Sequence, residues 1–197
     1  MPLLLRKADM LPSAHVEFTW AAANALQRSP LGRRWQDLDY RLLALAAILP
    51  DLIDKPLAIF ALPDSHAAQL YGHTLLLHLA VWGGASATRR VRRWLPYLLA
   101  FSGHLVADRM WGFGDTLLWP LRGRRFQQWK DVGSPSAFLK AYGNIIRSEP
   151  KLVAFEAIGL ALLAWVIADR RLYRKRALGR FLRTGRVEIG DGVRNEE

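Results

Sequence analysis

Seven side chains in this sequence have the chemistry of divalent-metal ligands: His15, Asp51, Asp54, His73, His78, His104 and Asp108. Neutral imidazole combined with carboxylate suits Zn²⁺, with Mn²⁺ and Fe²⁺ as rivals. His104 and Asp108, in SGHLVADRMW, stand four apart, so on a helix they share one face a turn apart. Asp51 and Asp54, in PDLID, stand three apart where Pro50 marks the expected end of a helix. His73 and His78, in GHTLLLH, are five apart, a rotation of about 500°. They do not share a face; His73 belongs to the turn leading into a helix and His78 lies a turn inside it. Each pair alone has an ordinary reading as a solvated helix end or a satisfied core histidine. With His15 the pairs carry four of the five histidines of the chain. The fifth, His66 in LPDSHAAQ, reads as a loop histidine. Seven groups exceed one tetrahedral site and would serve two metals, or one metal with a proton-transfer pair. Two neighbouring metals can bind a phosphate ester, make hydroxide from water and stabilise the leaving oxygen.

The elements that must position these groups are helical. The apolar segments are Leu- and Ala-rich, ten residues or more, with few β-branched runs. Helices are expected over 13–27, with Ser13 as N-cap, over 37–49 up to Pro50, over 74–82, over 95–110, briefly over 136–148, and over 151–171. Gly and Pro spread over 112–135 read as loop. The expected fold class is all-α, a helical bundle embedded in a membrane with the metal-site residues at one end. Residues 1–176 form the single domain and 177–197 a polar C-terminal tail. The segment 152–168 comes nearest to the roughly 20 apolar residues that a spanning helix needs.

Charge sorts along the same strokes. The 28 Lys and Arg against 17 Asp and Glu give a net charge of +11. If the helices alternate in direction, every His and Asp of the set gathers at one end of the bundle. The clusters Arg28/Arg33/Arg34, Arg89/Arg90/Arg92/Arg93 and RRLYRKR (170–176) gather at the other. Arginine loops mark the cytoplasmic side. The expected location is therefore the bacterial inner membrane, with the site on the extracytoplasmic side and the C-terminus in the cytoplasm. The N-terminal MPLLLRKADMLPSAH does not read as a signal peptide, because Arg6, Lys7 and Asp9 follow an apolar run of only Leu3 to Leu5. The chain has no cysteine, which excludes disulfides, thiolate metal sites and cysteine nucleophiles. No nucleic-acid partner is expected. The arginines recur at helix ends between apolar segments, and no recognition-helix motif is visible.

The order His15, LPDLID, GHTLLLH, GHLVADRMW, LLWP resembles the family of bacterial inner-membrane metal-dependent hydrolases of the LexA-regulated type. That family shows an early His, then P-D-x-x-D, then H-x-x-x-x-H, then G-H-x-x-x-D before a W-P element. These motifs fall on His15, on Asp51 with Asp54, on His73 with His78, on His104 with Asp108, and on Trp119-Pro120, spanning residues 15–121. The same order is more distantly similar to zinc-dependent phospholipase C and P1 nuclease. The family's usual H-R-G-x-T-H departs here, placing Thr74 and Leu77 where its arginine and threonine stand.

The resemblance implies a membrane-associated metal-dependent hydrolase of a phosphoester or lipid-like substrate. Asp51 or Asp54 would be the metal bridge or general base. The expected cofactor is a divalent metal, Zn first and Mn or Fe next. The expected partners are membrane lipids and a phosphoester or phospholipid substrate, with Arg109 able to contact an anionic group. The alternative is a non-enzymatic membrane protein with a structural metal site or a degenerate hydrolase site. Trp111, Trp119 and Trp129 read as interfacial anchors.

Overall fold

A computed structural model describes residues 10–128, 134, 136, 140, 143–144, 147 and 150–187. The fold is all-α, and among the described residues there is no strand. Helix α1 spans Pro12–Arg28, α2 Tyr40–Pro56, α3 Leu75–Ser86, α4 Val91–Ala107, the single-turn α5 Gly114–Leu117, α6 Pro150–Asp169 and α7 Lys175–Thr184. Most of the helix expected over 136–148, and Trp129, lie outside the described residues.

Local chemistry sets the helix ends. Helix α1 starts one residue earlier than expected, at Pro12, whose fixed φ suits the first helical position. Ser13 is consequently not the cap; its hydroxyl donates to Glu156 Oε2 of α6 at 2.7 Å. Asp39 caps α2 by accepting from the Arg41 N–H at 2.9 Å, and Thr74 Oγ1 caps α3 by accepting from the Leu77 N–H at 3.2 Å.

The largest departure is in α2, which does not stop at residue 49. It runs through Pro50 to Pro56 and continues as a π-turn over Leu57–Ala61. Proline removes one backbone hydrogen bond and bends a helix, a cost of about 3 kcal/mol. The hydrogen bonds and ion pair that Asp51 and Asp54 make beyond Pro50 work against that cost. The two aspartates therefore sit on successive positions of one continuous helix face.

Helix α2 is central: α1 and α4 both pack on it and also meet one another, while α6 packs on α1 and α3 on α4. The principal core joins Leu38, Tyr40 and Leu43 to Ala21, Ala100, Val166 and Leu172. Helix α6 buries only Leu152, Gly159 and Val166, one stripe at seven-residue spacing. Its other apolar side chains face outward, Leu160 at 59% and Val153 at 52% exposure. It is the one helix among the described residues long and apolar enough to cross a membrane, with mean hydropathy 2.0.

Helix α7 occupies 175–184, so the boundary expected at 176/177 falls inside a helix, and Phe181 packs edge-on against Trp20 of α1. Gly185 ends α7 at φ +70°, and a side chain there would collide with Asp39.

Candidate metal centre

The alternation of helices brings the polar ends together. The end of α2 supplies Asp51 and Asp54. The turn Tyr71–His73 before α3 supplies His73. The last turn of α4 supplies His104, its C-cap Asp108, and the first turn of α1 His15. All six side chains are buried.

Asp51, His73, His104 and Asp108 each offer one donor atom within 4.8 Å of all the others. His73 Nε2 and His104 Nε2 are 3.1 Å apart, and Asp108 Oδ2 is 3.4 Å from each of them. Asp51 Oδ1 is 3.7 Å from His73 Nε2 and 3.8 Å from His104 Nε2. Four donors bound tetrahedrally at about 2.1 Å would stand about 3.4 Å apart. The donor set therefore fits a small divalent ion, and its two imidazoles favour a transition metal over Mg²⁺ or Ca²⁺.

Outer partners aim these donors. Asp54 Oδ2 lies 2.7 Å from His73 Nδ1. A carboxylate only accepts, so Nδ1 carries the proton and Nε2 presents its lone pair inward. His104 Nδ1 likewise donates to the Ala47 carbonyl of α2 at 2.7 Å, which turns its Nε2 inward too. Two lone pairs then face each other at 3.1 Å, an arrangement that calls for a shared cation. A proton on His73 meets the same need. Burial pulls the His73 pKa down, but Asp108 and Asp54 beside it outweigh burial and hold it up at about 9. Metal and proton compete for one position.

Asp54 is turned away from the four-donor group. Beyond His73 it accepts from the Leu70 N–H at 2.5 Å and the Gly72 N–H at 2.6 Å, so both of its oxygens are taken. Asp51 is divided: Oδ2 pairs with Lys55 at 2.5 Å and Oδ1 faces the group. His15 stacks on His104 with ring centroids 4.0 Å apart, and its Nε2 lies 3.0 Å from Asp108 Oδ1. Both atoms are buried and turned to one another. His78 is outside the group. Its Nε2 donates to the Gly72 carbonyl at 3.1 Å and its Nδ1 lies 3.1 Å from Ser102 Oγ.

His66 is exposed, in a left-handed turn. Arg109 also has positive φ, +48°, directly after Asp108. Trp111 is exposed, and Trp119 stacks on Phe126.

Sequence reasoning missed three contributors. Gln69 is buried and donates to Asp108 Oδ2 at 3.4 Å; Lys55 holds Asp51; the Ala47 carbonyl orients His104. Lys55 alone carried a signal, its i,i+4 spacing from Asp51.

Comparison with known protein families matches residues 10–173 to one family, an interval that contains every residue of the polar group and the apolar α6. The chain belongs to the YdjM inner membrane protein family. Membership accounts for what the outward face of α6 suggests, since soluble proteins rarely leave so large an apolar surface bare. No curated protein and no solved structure matches the chain. For this YdjM family member, the polar group can hold a metal ion.

Proposed function

We propose that the chain is a membrane-embedded, metal-dependent hydrolase of a phosphoester, with His73, His104, Asp51 and Asp108 as metal ligands. The inward-facing Nε2 pair, flanked by two carboxylates at tetrahedral spacing, carries this reading. Zn²⁺ suits the donors best, with Mn²⁺ and Fe²⁺ next. Such an ion, when bound, lowers the pKa of water and neutralises charge on a phosphoryl oxygen.

The chain's own residues do the positioning. Asp54 and the Ala47 carbonyl hold the two imidazoles in the tautomer that ligates. Lys55 keeps one oxygen of Asp51 occupied so that the other faces the group. Of the two carboxylates expected to bridge a metal or act as base, only Asp51 turns an oxygen to the group, because Asp54 has both oxygens taken. His15, at the edge of the group against Asp108, is placed to ligate or to hold a proton. The arginine-rich ends are the cytoplasmic side, and the group faces the extracytoplasmic side. Membrane lipids are the surroundings and the source of a lipid-like substrate.

The test is metal content of the detergent-purified protein, alongside hydrolysis of phosphomonoesters, phosphodiesters and phospholipids. The expected result is at least one equivalent of metal, lost in both His104→Ala and Asp108→Ala, with hydrolysis lost in parallel. Unchanged metal content in both variants would overturn the ligand assignment.

A structural metal site is the second reading. Burial of all four ligands favours it, as does Thr74 standing as a helix cap where the resembling family has arginine. Full metal loading with no hydrolysis across the panel would establish it.

A further inference from the structure

Beside the polar group, α1, α2 and α4 leave a cleft of about 320 Å³. Its polar side chains are His15, Thr19 and His104; the rest of its lining is apolar. His15 and His104 are the two histidines that stack on one another next to Asp108, so the cleft abuts the metal group. The walls are built from small residues, Ala22 and Ala23 on α1 facing Ala100 and Gly103 on α4. A Cβ at Gly103 would meet nothing within 4 Å, so its missing side chain is part of the opening. Leu99, also in the lining, is 53% exposed, which brings the cleft out to the surface between α1 and α4.

A cleft with this lining gives ordered water too few partners and leaves a charged ligand desolvated. What it accommodates is hydrocarbon. Its volume is at the small end of the range for ligand sites, about 300–1,000 Å³. The one end that is polar is the end at the metal ligands. An occupant matching both halves is an amphiphile with its polar head at the histidines and its tail between α1 and α4. The chain belongs to an inner membrane protein family, so such molecules surround it.

We propose that this cleft binds one hydrocarbon chain of a membrane lipid and thereby presents the lipid's phosphate-bearing head to the metal group. The head-group half rests on the hydrolase reading above; the tail half does not. The cleft is thus the substrate-selecting part of the site. Phosphoesters with a long apolar chain are preferred over water-soluble ones, because only they fill the apolar cleft while the head stands at the histidines.

The test uses the full-length protein in nanodiscs containing phosphatidylglycerol with a photoreactive diazirine in mid-chain, with crosslinks mapped by mass spectrometry. Gly103→Leu fills the cleft without a steric clash at Cβ and with a better helix former. Ala22→Leu fills it from the opposite wall. The expected result is crosslinking at Phe18 and Leu99 that falls roughly tenfold in either variant, equivalent to about 1.4 kcal/mol of binding. Crosslinking on the outer face of α6 and metal content should not change. Cleft crosslinks that persist in both variants, or crosslinks confined to α6, would overturn the proposal. Cleft labelling that these variants abolish, in a protein that holds no metal, would support the tail site and remove the metal reading alone.

Discussion

Asp54 shows how one residue can matter without facing the four-donor group. It accepts three hydrogen bonds, from Leu70 N–H, Gly72 N–H and His73 Nδ1–H. Asp54→Asn keeps the shape but replaces one acceptor oxygen with a donor, against neighbours that only donate. We expect metal affinity to fall about 10- to 100-fold, the usual effect of losing an outer partner of a ligating histidine. Competition with a chelator measures this, and affinity equal to wild type would refute the orienting role. Gly72 is the second test at this scale. A Cβ there would stand 2.5 Å from the Pro50 carbonyl and 2.9 Å from Asp54 Oδ1. Gly72→Ala should therefore push the His73 turn off α2, at a cost of about 1–3 kcal/mol. A lowered thermal midpoint in detergent together with weaker metal binding is the expected outcome.

At the scale of elements, the end of the bundle remote from the four-donor group is tied by a different network. Arg170, directly after α6, is fully buried. Its guanidinium donates to Asn24 Oδ1 and, at 3.1 Å, to Gln27 Oε1, which also accepts from the Tyr40 hydroxyl at 3.0 Å. Asn24 and Arg28 both donate to Asp169 at 2.9 Å. This set locks the end of the apolar α6 to α1. Near the other end of the same pair, Gly159 gives α1 room for the buried Glu17 carboxylate. Arg170→Met leaves several buried partners unpaired and should destabilise the fold by about 3–5 kcal/mol. Metal stoichiometry in the folded fraction should stay at the wild-type value, because the network shares no residue with the metal group. Loss of metal without loss of stability would contradict this separation.

For the whole molecule, the two polar ends differ in kind. One gathers His and Asp around the candidate centre. At the other, Trp35 bonds the Arg92 carbonyl and Arg41 bonds the carbonyl of Leu182, joining the arginine-rich segments. Helix α7 continues this end. Lys175, Arg176, Arg180 and Arg183 occupy one arc of it, while Leu178 and Leu182 stand exposed on another. That pattern suits the headgroup layer of an anionic leaflet. With the arginine end cytoplasmic, a reporter active only in the cytoplasm and fused to the C-terminus should be active. An inactive reporter would invert the orientation.

Much of this was legible in the sequence. Helical periodicity, long Leu- and Ala-rich runs and the alternation of arginine clusters with His and Asp determined an all-α chain with chemically distinct ends, because these are properties of spacing along one dimension. His104 and Asp108 were readable as a pair because i,i+4 geometry is local. Pro50 misled, since a local rule ends the helix there while the long-range partners of Asp51 and Asp54 are met with the helix running on to Pro56. Only the tertiary structure decided which of the seven candidates share one point in space. Asp54 and His78 are polar groups of the expected type, yet their partners face them outward from the four-donor group. Gln69 and the Ala47 carbonyl carry no mark in the sequence at all, because a ligand's outer partner is selected by where the chain folds back and not by residue type.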